Sequence, residues 1–311
     1  MAKKYDVIAL GELLIDFTMN GQSEQGNNMF EACPGGAPCN VLALLNKMGK
    51  KTAFIGKVGK DQFGALLRDT ITEAGIDASN LMVDENVNTT LAFVHTFPDG
   101  DREFSFYRNP GADMMLRKEE VSLEKICASK IFHFGTLSFT HAGIRTASQY
   151  AIQCAKEAGA LISFDPNLRE PLWENLEDAR KAIEYGMECC DILKISDNEL
   201  TFMTGEKDYD KGAVLLQQKY QIPLVCVTLG KDGSRAYYKG LTIKAEPFLQ
   251  KNTIETTGAG DTFTGYFLMA QEKGFSAEQC LSIAAQASAI AVSRKGASVS
   301  VPVWAELQMD L

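Results

Sequence analysis

A chain of 311 residues with 45% hydrophobic and 23% charged residues has enough apolar content to bury a large core, which excludes disorder, collagen and coiled coil as overall descriptions. Its net charge of −9 excludes a non-specific nucleic-acid binder, because contacts to a polyanion need clustered cations. A small phosphate ligand met by a few local donors stays open.

In chain order, Lys3 and Lys4 precede a strand predicted over 5–10 (YDVIAL), and Glu12 and Asp16 interrupt the apolar run too soon for a signal peptide. Residues 12–34 then carry a polar stretch, NGQSEQGNN, before a glycine pair and a helix predicted over 38–48. A strand over 52–58 and a helix over 61–74 follow. Residues 89–108 read as two alternating strands, TTLAFVHTF and REFSFY, joined by Pro98-Asp99-Gly100-Asp101, a hairpin signal. Strands at 130–135, 160–165, 191–195 and 223–229 alternate with helices at 141–158, 174–189, 197–204 and 210–220. Helices over 259–273 and 276–294 close the pattern. Strand–helix alternation predicts an α/β fold with a mostly parallel sheet covered on both faces. The expectation is one domain, 1–311, with a small β lid from segments near 12–34 and 89–110. The eight cysteines contain no Cys-x-x-Cys pair, and His95, His133 and His141 have no zinc spacing. Free thiols in a reducing cytoplasm are expected, with no membrane span, since no run of about 20 apolar residues occurs.

Three segments carry candidate chemistry. In Glu255-Thr256-Thr257-Gly258-Ala259-Gly260-Asp261-Thr262-Phe263 the glycines precede a helical run. Such a turn gathers backbone N–H groups at a helix N-terminus, a place for an anion or for charge developing on a phosphoryl group. Asp261 at its mouth suits a general base; the same residues also read as a plain turn with Asp261 as helix cap. The dinucleotide pattern G-x-G-x-x-G fails because Phe263 takes the third glycine position, and no Walker A sequence occurs. The second segment, Gly35-Gly36-Ala37-Pro38-Cys39-Asn40, permits close backbone approach and presents an amide suited to hydroxyls, or is a turn and helix cap. The third ends in Asp16, an acceptor for two vicinal hydroxyls beyond a strand's carboxyl end, or a solvated loop acid.

Together these segments resemble the ribokinase-type (pfkB) carbohydrate kinases, which carry a Gly-Gly-x-x-x-Asn signature early and a Thr-x-Gly-Ala-Gly-Asp signature late, over nearly the whole chain. The resemblance implies a ribokinase-like fold and ATP-dependent phosphorylation of a primary sugar hydroxyl. It assigns Asp261 as base, and the backbone of Gly258, Ala259 and Gly260 as the anion hole. Asp16, Gly36, Asn40 and Arg108 would bind the sugar, and Arg169 would meet the transferring phosphate. Ser196, Thr228, Gly230, Gly233, Gly258 and Gly260 would serve the nucleotide, with Ser196 where the family has asparagine. Glu199 would support Mg²⁺ indirectly. A potassium site would use Glu255, where aspartate is usual, with Thr257, Ala291, Arg294, Gly296 and Ser300. Pairing of the lid faces implies a homodimer. Gly11-Glu12-Leu13-Leu14-Ile15-Asp16-Phe17, Phe106 to Asp113 (FYRNPGAD) and Phe164-Asp165-Pro166-Asn167-Leu168-Arg169 are similar to fructokinase segments. The last is shared with 2-keto-3-deoxygluconate and aminoimidazole riboside kinases. Fructose is therefore the expected acceptor. Another sugar, ribose included, or an inactive sugar-binding regulator is the alternative.

Overall fold

Apolar, β-branched runs bounded by turn residues form the central strands because both of their faces are covered. The structure, a computed structural model, describes residues 3–96, 102–245, 258–294 and 302–307. Its strands are β1 (Tyr5–Leu10), β2 (Leu14–Gln22), β3 (Asn28–Gly35), β4 (Thr52–Gly59), β5 (Asp77–Asp84), β6 (Leu91–Thr96), β7 (Arg102–Tyr107), β8 (Ser129–Gly135), β9 (Leu161–Asp165), β10 (Ile192–Ser196), β11 (Leu224–Thr228), β12 (Ser234–Tyr238) and β13 (Leu241–Ala245). The helices are α1 (Ala37–Lys47), α2 (Gln62–Glu73), α3 (Leu123–Cys127), α4 (Ala142–Glu157), α5 (Leu176–Cys189), α6 (Asp197–Thr204), α7 (Tyr209–Tyr220), α8 (Ala259–Glu272) and α9 (Ala277–Val292).

The large sheet runs β13-β12-β11-β10-β9-β8-β1-β4-β5 and is parallel from β11 to β5. Alternation along β1 sends Val7 and Ala9 into one apolar layer with α1, α2, α8 and α9. Ile8 and Leu10 enter the other layer, with α4 to α7. From β1 the chain builds outward to β4 and β5 on one side and later to β8 through β11 on the other. The strand order thus reverses at β1, and ligands of such sheets bind beyond the carboxyl ends of strands at that point.

The second sheet, β3-β2-β6-β7, is built from the two segments expected to form the lid. The polar 12–34 segment is its β2–β3 hairpin, with an irregularity between Met19 and Gln22. β6 and β7 pair antiparallel as expected, while their connecting turn, Pro98 to Asp101, lies outside the described residues. β5, β12, β13 and α3 add to the sequence reading; β12 and β13 pair antiparallel at the sheet edge. Most helix bounds agree with the reading to within two residues. α5 starts later than residue 174 because the Asn175 side chain caps it, accepting from the Asp178 N–H.

Two side chains fasten the lid to the body. Asp61 caps α2 at the Gly64 N–H (2.8 Å) and also accepts from the Thr89 N–H (2.7 Å), just before β6. Arg108, just past β7, donates from Nε and Nη2 to Asp113 Oδ2 (2.8 and 2.6 Å), from Nη1 to Thr140 Oγ1 (2.8 Å) and from Nη2 to the Leu137 carbonyl (3.1 Å). Both charged side chains are only 2% exposed. Asp113 also accepts from the Thr90 hydroxyl, so one buried pair holds both ends of the β6–β7 hairpin. Among the described residues no helix is long and apolar enough to cross a membrane.

Candidate active site

α1 and α8 bring their amino ends together. Asn40, in the first turn of α1, donates from Nδ2 to Asp261 Oδ2 (2.9 Å), in the first turn of α8. Asp261 therefore lies inside the helix rather than capping it. Gly258, at φ +76°, precedes α8, and its carbonyl accepts from the Thr262 N–H (2.8 Å). Ala259 and Gly260 open the helix, and their amides belong to the first turn, where N–H groups have no partner within a helix.

Asp261 is half-buried and densely surrounded by protein. Burial pushes its pKa up, to about 6; the Asn40 hydrogen bond opposes this, Asp165 adds to it, and Lys194 and Arg169 oppose it. Asp165, at the end of β9, is paired with Lys194 of β10, Nζ to Oδ2 3.1 Å. Thr264 of α8 donates its hydroxyl to Asp165 Oδ2 (3.4 Å). A Cβ on Gly260 would lie 3.0 Å from Lys194 Nζ, so the ammonium sits directly under the helix start. Burial alone would lower the Lys194 pKa, but Asp165 and Glu199 outweigh it, and the net shift is upward. The ammonium stays charged.

The second glycine segment is equally constrained. Gly36 has φ +126°, and a Cβ there would run into the Glu12 carbonyl. The Glu12 carboxylate accepts from the Ala37 N–H (2.9 Å). Burial raises its pKa to about 7. Asp16 lies on β2 against Gly35, where a Cβ would strike its carboxylate. Gly35 and Gly36 thus join β3, which packs against the Asp16 carboxylate, to α1 and Asn40. Beneath them a small cavity is lined by Glu12, Pro38, His133, Thr136, Asp165 and Asn167. His133 there is neutral at physiological pH, its pKa lowered to about 4 by burial and by Lys194.

Asn167 holds the left-handed conformation (φ +46°) that asparagine tolerates, redirecting the chain after β9 toward Arg169. Glu199 fixes this loop by accepting from the Leu168 N–H (2.7 Å), while its other oxygen accepts from the Ser196 N–H and hydroxyl (2.9 Å each). Ser196 caps α6, and its strand register places it beside Thr228 of β11. Gly230 (φ +55°) and Gly233 (φ +87°) form the tight turn that follows.

The structure thus groups Gly36, Asn40, Gly258, Gly260, Asp261 and Arg169, and places Ser196, Thr228, Gly230 and Gly233 along the neighbouring strand ends. Arg108 is differently engaged: four of its five N–H groups are spent on Asp113, Thr140 and Leu137. Its part in binding a ligand is at most a single N–H. Of the potassium residues, Ala291 lies in the last turn of α9 and Arg294 just past its end, and the Ala291 carbonyl accepts from the Arg294 N–H (3.1 Å). Glu255, Thr257, Gly296 and Ser300 lie outside the described residues. Among the described residues no cluster of three or more His, Cys, Asp or Glu side chains forms a metal site.

Sequence reasoning gave no role to Lys194, Asp165, Thr264 or Glu12. The available signal was a charge inside an otherwise apolar strand (Ile192-Leu193-Lys194-Ile195), which requires a buried partner.

The model of the pfkB family carbohydrate kinases matches residues 4–304. The chain belongs to this family. It is 41% identical over 309 residues to a protein named probable fructokinase-2 from Arabidopsis thaliana, covering 96% of this chain and 94% of that protein. The fructokinase of Xylella fastidiosa, solved with bound ATP, is similar in structure, with TM-score 0.85, 31% identity and 96% of each chain covered. The fructokinase of Vibrio cholerae O395, solved with fructose, ADP and calcium ion, gives TM-score 0.86, 28% identity and 97% of each chain covered.

Gly36→Ala should be damaging, because both its φ and the nearby backbone oppose a side chain. The expected loss is ~1–3 kcal/mol of stability, read by thermal unfolding, with at least a tenfold rise in the sugar KM. An unchanged melting temperature and KM would contradict this reading of the segment.

Proposed function

We propose that the protein is an ATP-dependent fructokinase that transfers the γ-phosphoryl group of ATP to the C6 hydroxyl of fructose. The observation that carries this reading is Asp261: a carboxylate held by Asn40 at the amino end of α8, with its pKa raised to about 6. It is ionised at neutral pH yet more basic than an ordinary aspartate, as a general base requires. The relatives named fructokinases supply the acceptor.

In the proposed reaction Asp261 takes the proton from the sugar hydroxyl as its oxygen attacks the γ-phosphorus. The bond from that phosphorus to the bridging oxygen breaks, and ADP departs with the electron pair. The amides of Gly258, Ala259 and Gly260 meet the negative charge on the transferring group. The buried Lys194 ammonium beneath Gly260 adds positive charge at the same point. Arg169 offers a planar fork to phosphate oxygens. Asp16 and Asn40 hold sugar hydroxyls, and Gly36 allows the sugar to approach the backbone. Arg108 contributes mainly by fixing the lid that carries Asp16. Ser196, Thr228, Gly230 and Gly233 border the nucleotide.

Mg²⁺ bound with ATP supplies charge neutralisation across the phosphates. The chain suits a metal that arrives on its substrate, since both Glu199 oxygens are engaged in fixing Leu168 and Ser196. Potassium would sit by the carbonyls at the carboxyl end of α9, where the helix dipole favours a cation.

The test is ADP release by the purified protein with ATP and Mg²⁺ across fructose, ribose, 2-keto-3-deoxygluconate, aminoimidazole riboside and glucose, in K⁺ and in Na⁺ buffers. Fructose should have the largest kcat/KM, with higher activity in K⁺. Asp261→Asn should lower kcat at least ~10²-fold while sugar binding persists. A different preferred sugar would overturn the substrate assignment, and near wild-type kcat in Asp261→Asn would remove the base.

The outer lid face supports a homodimer. Phe17, Phe30 and Tyr107 surround Phe93 there, with ring centroids 4.9, 5.5 and 5.4 Å away. Phe30 is 43% exposed and Tyr107 66%. Exposed apolar patches of this kind favour association. Sedimentation should give a dimer that Phe30→Glu converts to monomer. A monomeric wild type would rule the pairing out.

A further inference from the structure

The opposite lid face bears Asp16. Its strand register is Asp16 to Ala92 on β6, and Ala92 to Phe106 on β7. Two residues along β7, Phe104 lies level with Val94 on the same face. The Phe104 ring stacks on Phe106, with centroids 5.8 Å apart and planes 12° apart. Its centroid is also 5.8 Å from the guanidinium carbon of Arg169, within the range of a cation–π contact.

This contact crosses from the lid sheet to the loop after β9. Among the described residues, the Arg169 side chain donates from Nη1 to the carbonyl of its neighbour Leu168 (3.1 Å). That bond fixes one edge of the fork and leaves the direction of its plane to the ring beside it. The charge of Arg169 acts on Asp261, and the Arg169 loop continues from Asp165 at the end of β9, whose partner Lys194 lies under the start of α8.

We propose that Phe104 is a positioning residue: its ring holds the Arg169 guanidinium toward the path of the transferring phosphoryl group. The lid face that carries Asp16 to the sugar thereby also aligns the phosphate end of the reaction. A lid displaced from the body loses both contacts together, which joins sugar enclosure to phosphoryl transfer. The inference rests on the phosphate role proposed for Arg169.

The test is steady-state kinetics with fructose and Mg²⁺–ATP for Phe104→Leu, Phe104→Trp, Arg169→Ala and the double variant Phe104→Leu/Arg169→Ala. Leucine keeps apolar packing without a ring, and tryptophan keeps a ring. Phe104→Leu should lower kcat about 5-fold, the size of a cation–π contact, with the fructose KM within about twofold. Phe104→Trp should retain at least about half of kcat. In the Arg169→Ala background, Phe104→Leu should cause no further loss. Phe104→Met replaces the leucine variant if the latter does not fold. The proposal fails if the tryptophan and leucine variants lose activity equally, or if the leucine variant loses none. It also fails if the loss falls on KM, or if it persists undiminished without Arg169. Wild-type kcat in Arg169→Ala would instead overturn the phosphate role of Arg169 itself, and the proposal with it.

Discussion

Lys194 and Asp165 meet because β9 and β10 are parallel neighbours with Leu193 level with Phe164, which sets the next residue of each strand side by side. Their side chains are only 12% and 6% exposed. A buried charge survives only with a close partner, and removing either one alone costs ~3–5 kcal/mol. The pair also reaches the late helix, since Thr264 donates to Asp165 and Gly260 rests on Lys194. The ion pair therefore places the amino end of α8 over the carboxyl ends of two strands, and with it Asp261.

The electrostatics follow from that placement. Asp261 is drawn into protein and faces another carboxylate, with one ammonium and one guanidinium to offset it. Its pKa rises to about 6 from the ordinary 3.8. The contribution to stability is full below the ordinary value and is lost as pH rises through about 6. At neutral pH the site thus operates with a carboxylate that the fold would hold more easily in its protonated form. This stored unfavourable energy is what makes it a stronger base.

Much of this was legible in the sequence where burial is two-sided. β4 is buried at all eight positions, and its apolar run announces it. β2 is buried only at its first two residues, so the lid hairpin reads as polar chain. β13 has no fully buried residue, and β5 lacks an apolar run, so neither shows a strand pattern. The glycine signatures were legible because backbone conformation demands them, and Gly36 is the clearest case. What sequence could not supply was pairing at a distance. Nothing near Lys194 in the chain names Asp165, and nothing near Arg108 says that Thr140 and Leu137, about thirty residues on, join Asp113 in taking its donors.

The central claim is that a half-buried acid with a raised pKa, restrained by Lys194, sits at the start of α8. Carboxyl ¹³C NMR of aspartate-labelled protein tests it directly, the Asp261 signal being identified by its absence from Asp261→Asn. The account predicts a titration midpoint near 6 in the ligand-free protein, moving upward in folded Lys194→Met. A midpoint near the ordinary 3.8, or one that ignores the loss of Lys194, would contradict it.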